Sequence, residues 1–555
     1  MKLKKQGRNP YDKVLDFFTI IEKNISFYYL FVILGIFPLY VKNQYDGIGD
    51  AKFNLFYQST KIFLPVLTTL FIGKEFFVWK RAGEEKKRQQ GKADIEKQSS
   101  ILKRKEEKDS FLNIAVLSYG FLVLLSYFLS DYKYYALYGA DGWKMGLVSQ
   151  LMFVAIYFLL SGSGQRYLSL IVVHLISSGF TFLFGILHRF QIDPLGMYEG
   201  LDLMQMTEFL STIGQATWYS SYICTVFPIG IMCFYIAKKK IWKMACVCYG
   251  ILTFSVLVTQ NSDSAFVALA GVLVLLALYS SKSKENWLIF LKIMITMWGS
   301  FVGIGILQRL CAERAIPLSS LSTFFSQGIV SVLFLGISIL LYMAYRKLGR
   351  DREDHVMRLT RKAVKAISIG AAVITILLIV FIFLNTKGYL EQWLGISIRH
   401  NYLLFDEYWG NNRGLSWKIA WEEYWNLPLY QKLFGVGPDA FSEHLYHIPE
   451  IQQTLQHKWG SLRLTNAHNE YLNSLICYGM VGLLSWLIVL MGGIFYFYKK
   501  SCEKAEFYPM ILGFSLCIMS YFCHNIFCYQ QVCCTPFLFI VLGIGERYVR
   551  DHERV

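Results

Sequence analysis

Residues 366–384 read AISIGAAVITILLIVFIFL, an uninterrupted apolar stretch between Lys365 and Lys387. As an α-helix, a stretch of this length rises about 28 Å, close to the roughly 30 Å thickness of a bilayer's hydrocarbon core. A helix also satisfies all of its backbone hydrogen bonds internally, as the bilayer requires. The stretch therefore predicts a transmembrane helix, and similar stretches recur along the whole chain.

The composition extends this interpretation to the full sequence. Of the 555 residues, 54% are hydrophobic and only 17% are charged, against about 25% charged in soluble domains. Too few polar side chains remain to cover a soluble particle of this size, which excludes a soluble enzyme. We predict an all-α polytopic membrane protein with about fourteen transmembrane helices. The predicted spans are residues 25–41, 55–79, 111–130, 145–160, 167–187, 208–236, 244–259, 265–280, 287–307, 324–344, 366–385, 471–498, 508–524 and 532–546.

The positions of Lys and Arg predict the orientation in the membrane. With the amino terminus in the cytoplasm, the tails and inner loops hold 38 of the 55 Lys and Arg residues, and the outer loops hold 14. This positive-inside distribution predicts two cytoplasmic termini. The start at Met1–Lys5 lacks the features of a removable signal peptide. We therefore interpret the Lys and Arg residues behind the net charge of +16, such as those of the basic loop 80–110, as anchors that face anionic lipid. We expect no nucleic-acid partner.

One outer loop, residues 386–470, is too long to be a simple connection. It lies between the eleventh and twelfth predicted spans and divides the chain into a transmembrane region at 1–385, the loop itself, and a transmembrane region at 471–555. The loop contains five of the ten histidines and six of the thirteen tryptophans. Part of this aromatic content is typical of the belt at a membrane interface. Because histidines and other polar side chains are concentrated in this loop, we nevertheless predict that any catalytic site lies here.

Within the loop, the segment 411–425 predicts a helix, because Trp417, Ala420, Trp421 and Tyr424 recur at helical spacing. Asn411 or Asn412 is the expected N-cap. Arg413 would then lie in the first turn, where the free backbone N–H groups and the helix dipole already favour an anion. A guanidinium there can bind phosphate oxygens through two parallel hydrogen bonds. The segment predicts a phosphate site.

Two further stretches of the loop have features of a site. Residues 433–439, LFGVGPD, predict a tight turn, because Gly435 and Gly437 permit positive φ and Pro438 stops a helix. Residues 466–474, NAHNEYLNS, lead directly into the twelfth span. His468 is predicted in or beside the first helical turn, where the helix dipole disfavours imidazolium. A neutral imidazole there can accept a proton.

These features together resemble the bacterial O-antigen ligase and O-antigen polymerase proteins. The resemblance rests on Arg413 with Trp417, on LFGVGPD at 433–439, on AHNEYL at 467–472 and on YGMVG at 478–482, and it covers about residues 411–490. A weaker match lies at Phe209–Tyr219, where Gln215 stands in place of a common Asn. The resemblance does not distinguish ligase from polymerase, and it leaves the sugar and the acceptor open.

The resemblance implies an enzyme of surface polysaccharide biosynthesis. Such an enzyme transfers a glycan from undecaprenyl diphosphate to a hydroxyl of a lipid or polysaccharide acceptor, at the outer face of the bacterial cytoplasmic membrane. It uses no metal and no nucleotide sugar, so no cofactor is expected. His468 would be the general base and Arg413 a diphosphate clamp. The supporting motif residues would be Trp417, Gly435, Gly437, Asn469 and Glu470.

One position departs from the family's pattern. Many members carry a second arginine at the outer end of a middle span, where this chain has Asp263. Arg463, Arg399 or, more remotely, Arg189 could take its place, and Asp263 could instead pair with one of them. The alternative function is a lipid-linked glycan flippase or other polysaccharide transporter. That alternative gives no reason for a long outer loop that bears His and Arg.

Overall fold

The computed structural model describes residues 10–90, 110–142, 144–503 and 509–553. Within these ranges the chain is helical apart from one two-stranded hairpin. The sequence predictions for Met1–Lys5 and for most of the basic loop 80–110 lie outside the described residues. The all-α fold class predicted from the sequence is confirmed.

The first half of the chain forms α1 to α11 and the hairpin. The elements are α1 (Pro10–Phe31), α2 (Ile48–Gln90), α3 (Phe111–Leu129), α4 (Lys133–Tyr138), α5 (Leu147–Gly162), α6 (Tyr167–Arg189), α7 (Leu203–Glu208), β1 (Phe209–Leu210), β2 (Gly214–Gln215), α8 (Ala216–Ile236), α9 (Lys240–Thr259), α10 (Ser264–Ser280) and α11 (Lys284–Leu310). The strands pair antiparallel, with Phe209 opposite Gln215 and Leu210 opposite Gly214.

The second half forms α12 to α22. The elements are α12 (Ser320–Gln327), α13 (Ile329–Arg346), α14 (Arg350–Thr386), α15 (Tyr389–Leu394), α16 (Trp409–Asn426), α17 (Leu429–Phe434), α18 (Phe441–Tyr446), α19 (Pro449–Trp459), α20 (Glu470–Glu503), α21 (Pro509–His524) and α22 (Thr535–Glu553). The long outer loop predicted at 386–470 therefore lies between α14 and α20 and contains five short or medium helices.

Ten of the described helices are long and apolar enough to cross a membrane by length and composition, and α5, α10 and α21 are apolar but shorter. The apolar stretch in α14 is solvent-exposed on all sides of the helix, including Ile374, Leu377 and Val380. Such a surface is stable only against lipid, because its exposure to water would cost about 25 cal/mol for each Å². The protein is a polytopic membrane protein.

Three predicted span boundaries are wrong. The first helix begins at Pro10 rather than near residue 25, and a π-helical turn (Val32–Ile36) and a 3₁₀ turn (Phe37–Leu39) extend it. Residues 209–215 form the hairpin, so the span predicted from 208 begins at Ala216. The span predicted at 324–344 is divided by Gly328 into α12 and α13. In the first case polar residues continue the helix outside the apolar run, and in the other two the apolar content continues across a backbone break that hydropathy does not detect.

Helix α21 lies at the centre of the bundle, where it packs against α8, α10, α20 and α22. At its end, His524 is within hydrogen-bond distance of Ser220 on α8 (Nε2 to Oγ, 3.0 Å) and of Ser264 on α10 (Nε2 to Oγ, 3.1 Å). The backbone N–H of Glu470, the first residue of α20, donates to the Asn525 carbonyl at 3.0 Å. The first turns of α8, α10 and α20 therefore meet around the end of α21.

Candidate functional site

The turn that precedes α20 holds His468 in an unusual backbone conformation. His468 has φ of +49°, in the left-handed region that non-glycine residues seldom adopt. Its N–H donates to the Asn466 side chain at 2.9 Å. The Asn469 side chain accepts hydrogen bonds from the N–H groups of Tyr471 (2.9 Å) and Leu472 (3.0 Å), which caps the helix. Side chains on both sides thus fix a strained residue, as is common at functional sites.

The imidazole of His468 is half-buried, and its ring nitrogens are free to react. Its ring packs edge-on against Tyr529, with centroids 5.3 Å apart. Among the residues that the structure describes, no side chain or backbone group is hydrogen-bonded to either ring nitrogen. Burial, reinforced by the positive charge of Arg413, lowers the pKa of His468 to about 4. At neutral pH the ring is therefore uncharged and carries a free lone pair.

Arg413 lies at the beginning of α16 and also has most of its hydrogen-bonding capacity free. One guanidinium nitrogen donates to the Gly410 carbonyl at 3.0 Å. Within the described part of the chain, no carboxylate forms an ion pair with this guanidinium. Burial lowers the pKa of Arg413, but an arginine remains cationic at neutral pH. The site therefore contains a partly buried positive charge that no described carboxylate contacts directly, and Asp263 acts on it only through longer-range electrostatics.

The predicted N-cap at Asn411 or Asn412 is wrong, because α16 begins at Trp409 and its N-cap residue is Tyr408. The first turn is irregular, since Gly410 has φ of +59° and Asn412 has φ of +65°. Asn is among the few residues that adopt such a conformation at low cost. The sequence signal for a helix start at Asn412 was therefore real, but it marks a distorted first turn rather than a cap.

Ser416 connects the two candidate residues. Its hydroxyl lies 2.8 Å from the Arg413 carbonyl and 3.3 Å from the Ala467 carbonyl, next to His468. The start of α16 thus packs directly against the turn before α20. Although 55 positions separate Arg413 and His468 in the sequence, the fold brings them to the same place, and the charge of one lowers the pKa of the other.

Trp417 packs α16 onto the loop between α21 and α22. Its ring contacts Phe527 (5.9 Å between centroids) and Trp409 (5.0 Å). The indole N–H of Trp417 is buried and has no hydrogen-bond partner within the described ranges. Trp417 therefore supports the site by packing, because its rings fix the helix that carries Arg413.

Asp263 does not pair with any of the three arginines considered from the sequence. Its carboxylate oxygens accept hydrogen bonds from the hydroxyls of Ser319 (2.6 Å) and Tyr402 (2.6 Å). The Tyr402 hydroxyl belongs to the segment that precedes α16, so the contact ties the large loop to the start of α10. The ion pair suggested between Asp263 and Arg463, Arg399 or Arg189 is not formed in the described structure, and the charge of Asp263 acts instead on Arg413.

The alternative arginines have different environments. Arg189 is fully buried and donates to the Thr259 carbonyl at 2.9 and 2.6 Å, which is a structural contact. Arg463 forms an ion pair with Glu443 at 2.5 Å, so its charge is already compensated. Arg399 is exposed on the outer loop. Of these residues and Arg413, only Arg413 lies near enough to His468 to change its pKa.

The glycines of the LFGVGPD motif form a turn that inserts between α3 and α20. Helix α20 is broken at Gly479, which has φ of +69°, and the break leaves carbonyl groups without helical partners. The N–H groups of Val436 and Gly437 donate to the carbonyls of Ile476 (2.9 Å) and Cys477 (3.0 Å). A Cβ atom on Gly435 would lie only 2.2 Å from the Cys477 carbonyl oxygen. The two backbones can approach this closely only with glycine.

We expect Gly435→Ala and Gly479→Ala to prevent accumulation of folded protein or to lower its melting temperature strongly. Positive φ alone costs about 1–2 kcal/mol with a side chain, and each new Cβ would in addition overlap backbone atoms. Gly388→Ala is the matched control, because Gly388 has φ of +76° but open space around its Cβ position. Equal thermal stability of Gly435→Ala and Gly388→Ala in detergent would contradict the role assigned to this turn.

Two buried carboxyl groups lie behind the His468 turn. Glu470 accepts hydrogen bonds from Trp486 (2.5 Å), Gln530 (3.3 Å) and Asn525. Asp439 accepts from the N–H groups of residues 140 and 145 at 2.8 and 3.0 Å, and burial raises its pKa to about 7. Both line one polar cavity, together with Asn466, Asn473 and Tyr529. These contacts hold the turn rigidly from below.

The sequence interpretation missed several residues of this site. Tyr529, which packs on His468, lies in the α21–α22 loop, predicted only as a connection between two spans, and His524 lies at the end of the predicted span 508–524. Ser416 and Tyr402 were also missed. One signal was present in the sequence, since polar residues interrupt two apolar runs at Asn525, Tyr529, Gln530 and Gln531. Among the described residues, no group of three or more His, Cys, Asp or Glu side chains could hold a metal ion.

Comparison with known proteins identifies the region that contains this site. The family model for O-antigen ligase matches residues 315–487. The match includes α16, the LFGVGPD turn, the His468 turn and the break in α20. It confirms the resemblance inferred from the sequence motifs. No curated protein sequence matches the chain.

Proposed function

The family model for O-antigen ligase matches residues 315–487, and from this match we propose that the protein transfers a glycan from undecaprenyl diphosphate to an acceptor hydroxyl. The match supports a role in surface polysaccharide biosynthesis. The donor, the acceptor hydroxyl of a lipid or polysaccharide, and the position at the outer face of the cytoplasmic membrane are parts of the proposal. The family relationship favours a glycosyltransferase-like enzyme.

In the proposed reaction, the acceptor oxygen attacks the anomeric carbon of the donor sugar, and the bond from that carbon to the diphosphate oxygen breaks. His468 takes the hydroxyl proton, so the attacking oxygen becomes a better nucleophile. The bonding electrons leave with the diphosphate, whose added negative charge Arg413 stabilises. Diphosphate is a good leaving group, and the reaction therefore needs no strong acid.

One observation supports this proposal above the others. Within the described part of the chain, a neutral imidazole with two unpartnered nitrogens and a guanidinium with no direct carboxylate contact lie on adjoining turns that Ser416 holds together. Transfer requires a base on one side of the anomeric carbon and a cation on the other, within about a sugar's width.

The direct test is an assay with purified protein and a lipid-linked glycan. Longer glycans formed from the donor alone would identify a polymerase, whereas transfer only after addition of a separate acceptor would identify a ligase. The same preparation in sealed vesicles tests the flippase alternative. Movement of the intact donor across the bilayer, with no new glycosidic bond under any condition, would contradict the proposed function.

We further propose that fourteen helices cross the membrane. The ten long apolar helices and the three shorter ones make thirteen, and α22 is the fourteenth. Both termini are then cytoplasmic, residues 1–385 and 471–555 form the transmembrane regions, and residues 386–470 form the exoplasmic catalytic loop. This arrangement puts the His468 turn, the start of α16 and the α21–α22 loop on the same side.

The proposed topology predicts that a cysteine at Gln453, an exposed position on α19, reacts with an impermeant thiol reagent in intact cells. Asp351→Cys, at the start of α14, should react only after permeabilisation. The background needs Cys248→Ser and Cys311→Ser, because these two native cysteines are exposed. The reverse labelling pattern at the two introduced sites would overturn the orientation.

A further inference from the structure

Helix α17 lies deeper than the rest of the outer loop. Its last residues adjoin the break in α20, since a Cβ atom on Gly479 would lie 2.4 Å from the Leu433 carbonyl group. Position 479 lies nine residues after the start of α20, or about 14 Å along the helix axis. The hydroxyl of Ser126, which is on α3, donates to the Cys477 carbonyl at 2.8 Å. The turn after α17 is therefore inserted between two transmembrane helices, below their outer ends.

The surface of α16 and α17 that faces away from the protein is strongly apolar. Trp421 is 50% exposed, Trp425 is 56% exposed and Leu429 is 74% exposed. Tyr430 and Leu433 continue this surface along α17. The opposite side of α16, which includes Leu415, Ala420 and Tyr424, is buried. Apolar side chains therefore lie on both sides of α16, and those on the outer side are exposed beside Lys418 and Glu422.

We propose that this surface, formed by Trp421, Trp425, Leu429, Tyr430 and Leu433, is embedded in the interface of the outer leaflet and anchors the catalytic loop to the bilayer. Trp and Tyr favour the level of the lipid headgroups, and exposed apolar side chains beside them are stable against the acyl chains rather than in water. The Lys432 ammonium lies 5.8 Å from the Trp425 ring centroid, where it can also contact anionic headgroups.

The occupant of this surface is lipid because the surface continues the lipid-facing side of the bundle. Helix α17 packs against α20 and α3, and both helices expose large apolar side chains, among them Leu484 and Phe128. The anchor lies on the same helix as Arg413, about 18 Å from it at Trp425. Such an anchor would hold Arg413 at a constant height above the membrane. A lipid-linked diphosphate has to reach the same height.

Depth-dependent fluorescence quenching tests the proposal without any assay of activity, so its outcome is independent of the proposed function. Leu429→Cys and Trp425→Cys would be introduced into full-length protein that carries Cys248→Ser and Cys311→Ser. Each would be labelled with the fluorophore NBD in vesicles of phosphatidylethanolamine and phosphatidylglycerol. The parent without an introduced cysteine gives the background. Gln453→Cys, exposed on α19, is the matched control.

We expect blue-shifted emission at positions 425 and 429, strong quenching by lipids with a shallow doxyl group, and little quenching by aqueous iodide. Position 453 should show the opposite pattern. Leu429 has few contacts, so its substitution leaves folding intact. Iodide quenching at 429 equal to that at 453 would overturn the proposal. Protection at 429 that appears only at high protein density in the vesicles would also overturn it, since that result indicates contact with a second copy.

Discussion

His468→Ala is expected to reduce glycan transfer by roughly 10²–10⁴, the usual cost of losing a general base, with an unchanged amount of inserted protein. The ring contributes a contact with Tyr529 and no hydrogen bond within the described structure, so its loss affects the fold little. His468→Asn is a second variant that tolerates the left-handed backbone at this position. His457→Ala removes an exposed histidine of the same loop and should transfer at the normal rate.

The pH dependence provides a separate measure of the same role. Burial and Arg413 lower the pKa of His468 to about 4, so the neutral, active form predominates at all pH values above that. In the wild type, kcat/KM should therefore stay constant as the pH falls from 7 to 5 and should decrease as it passes through about 4. Arg413→Gln removes the charge that disfavours imidazolium, so the residual activity should decrease at a higher pH. If kcat/KM decreased at the same pH in Arg413→Gln as in the wild type, that result would contradict the proximity of the two side chains.

The sequence could predict the membrane class and the region of the site, because both depend on local composition. Apolar runs show which segments need lipid. A histidine beside the start of a helix indicates a neutral base, because the helix dipole acts locally and does not depend on the rest of the fold. The position of the break in α20 was harder to predict from the sequence. Gly479 lies inside a continuous apolar run, and its role follows only from the approach of the Gly435 turn.

Long-range partners explain the residues that the sequence interpretation missed. Tyr529 meets His468 only because α21 and α20 pack side by side at the centre of the bundle. Asp263 was expected to need a cationic partner, yet two hydroxyl groups satisfy it. Composition reveals which residues are able to pair, whereas the fold determines which of them meet. For the same reason the pairing of Arg463, a candidate clamp, with Glu443 could not be foreseen.

Arg413→Lys is expected to lower kcat/KM by roughly 10²–10³, comparable to the loss of a principal charge-stabilising donor, although the charge is retained. A guanidinium presents a planar pair of N–H groups that fits two phosphate oxygens, whereas an ammonium acts as a point charge. The Gly410 carbonyl occupies only one of the guanidinium nitrogens of Arg413, so the others remain available to the diphosphate. The measurement is initial rate against donor concentration with purified protein in vesicles.

Arg399→Lys and Arg463→Lys complete this experiment, because they make the same chemical change at the two other candidate clamps. Arg399 is exposed and Arg463 is paired with Glu443, so both variants should transfer at close to the normal rate. A near-normal rate for Arg413→Lys, together with a large loss in one of the others, would move the diphosphate to that arginine. It would also separate the anion site from His468. The two roles would then require a donor that reaches across the outer surface, rather than one bound where α16 meets the His468 turn.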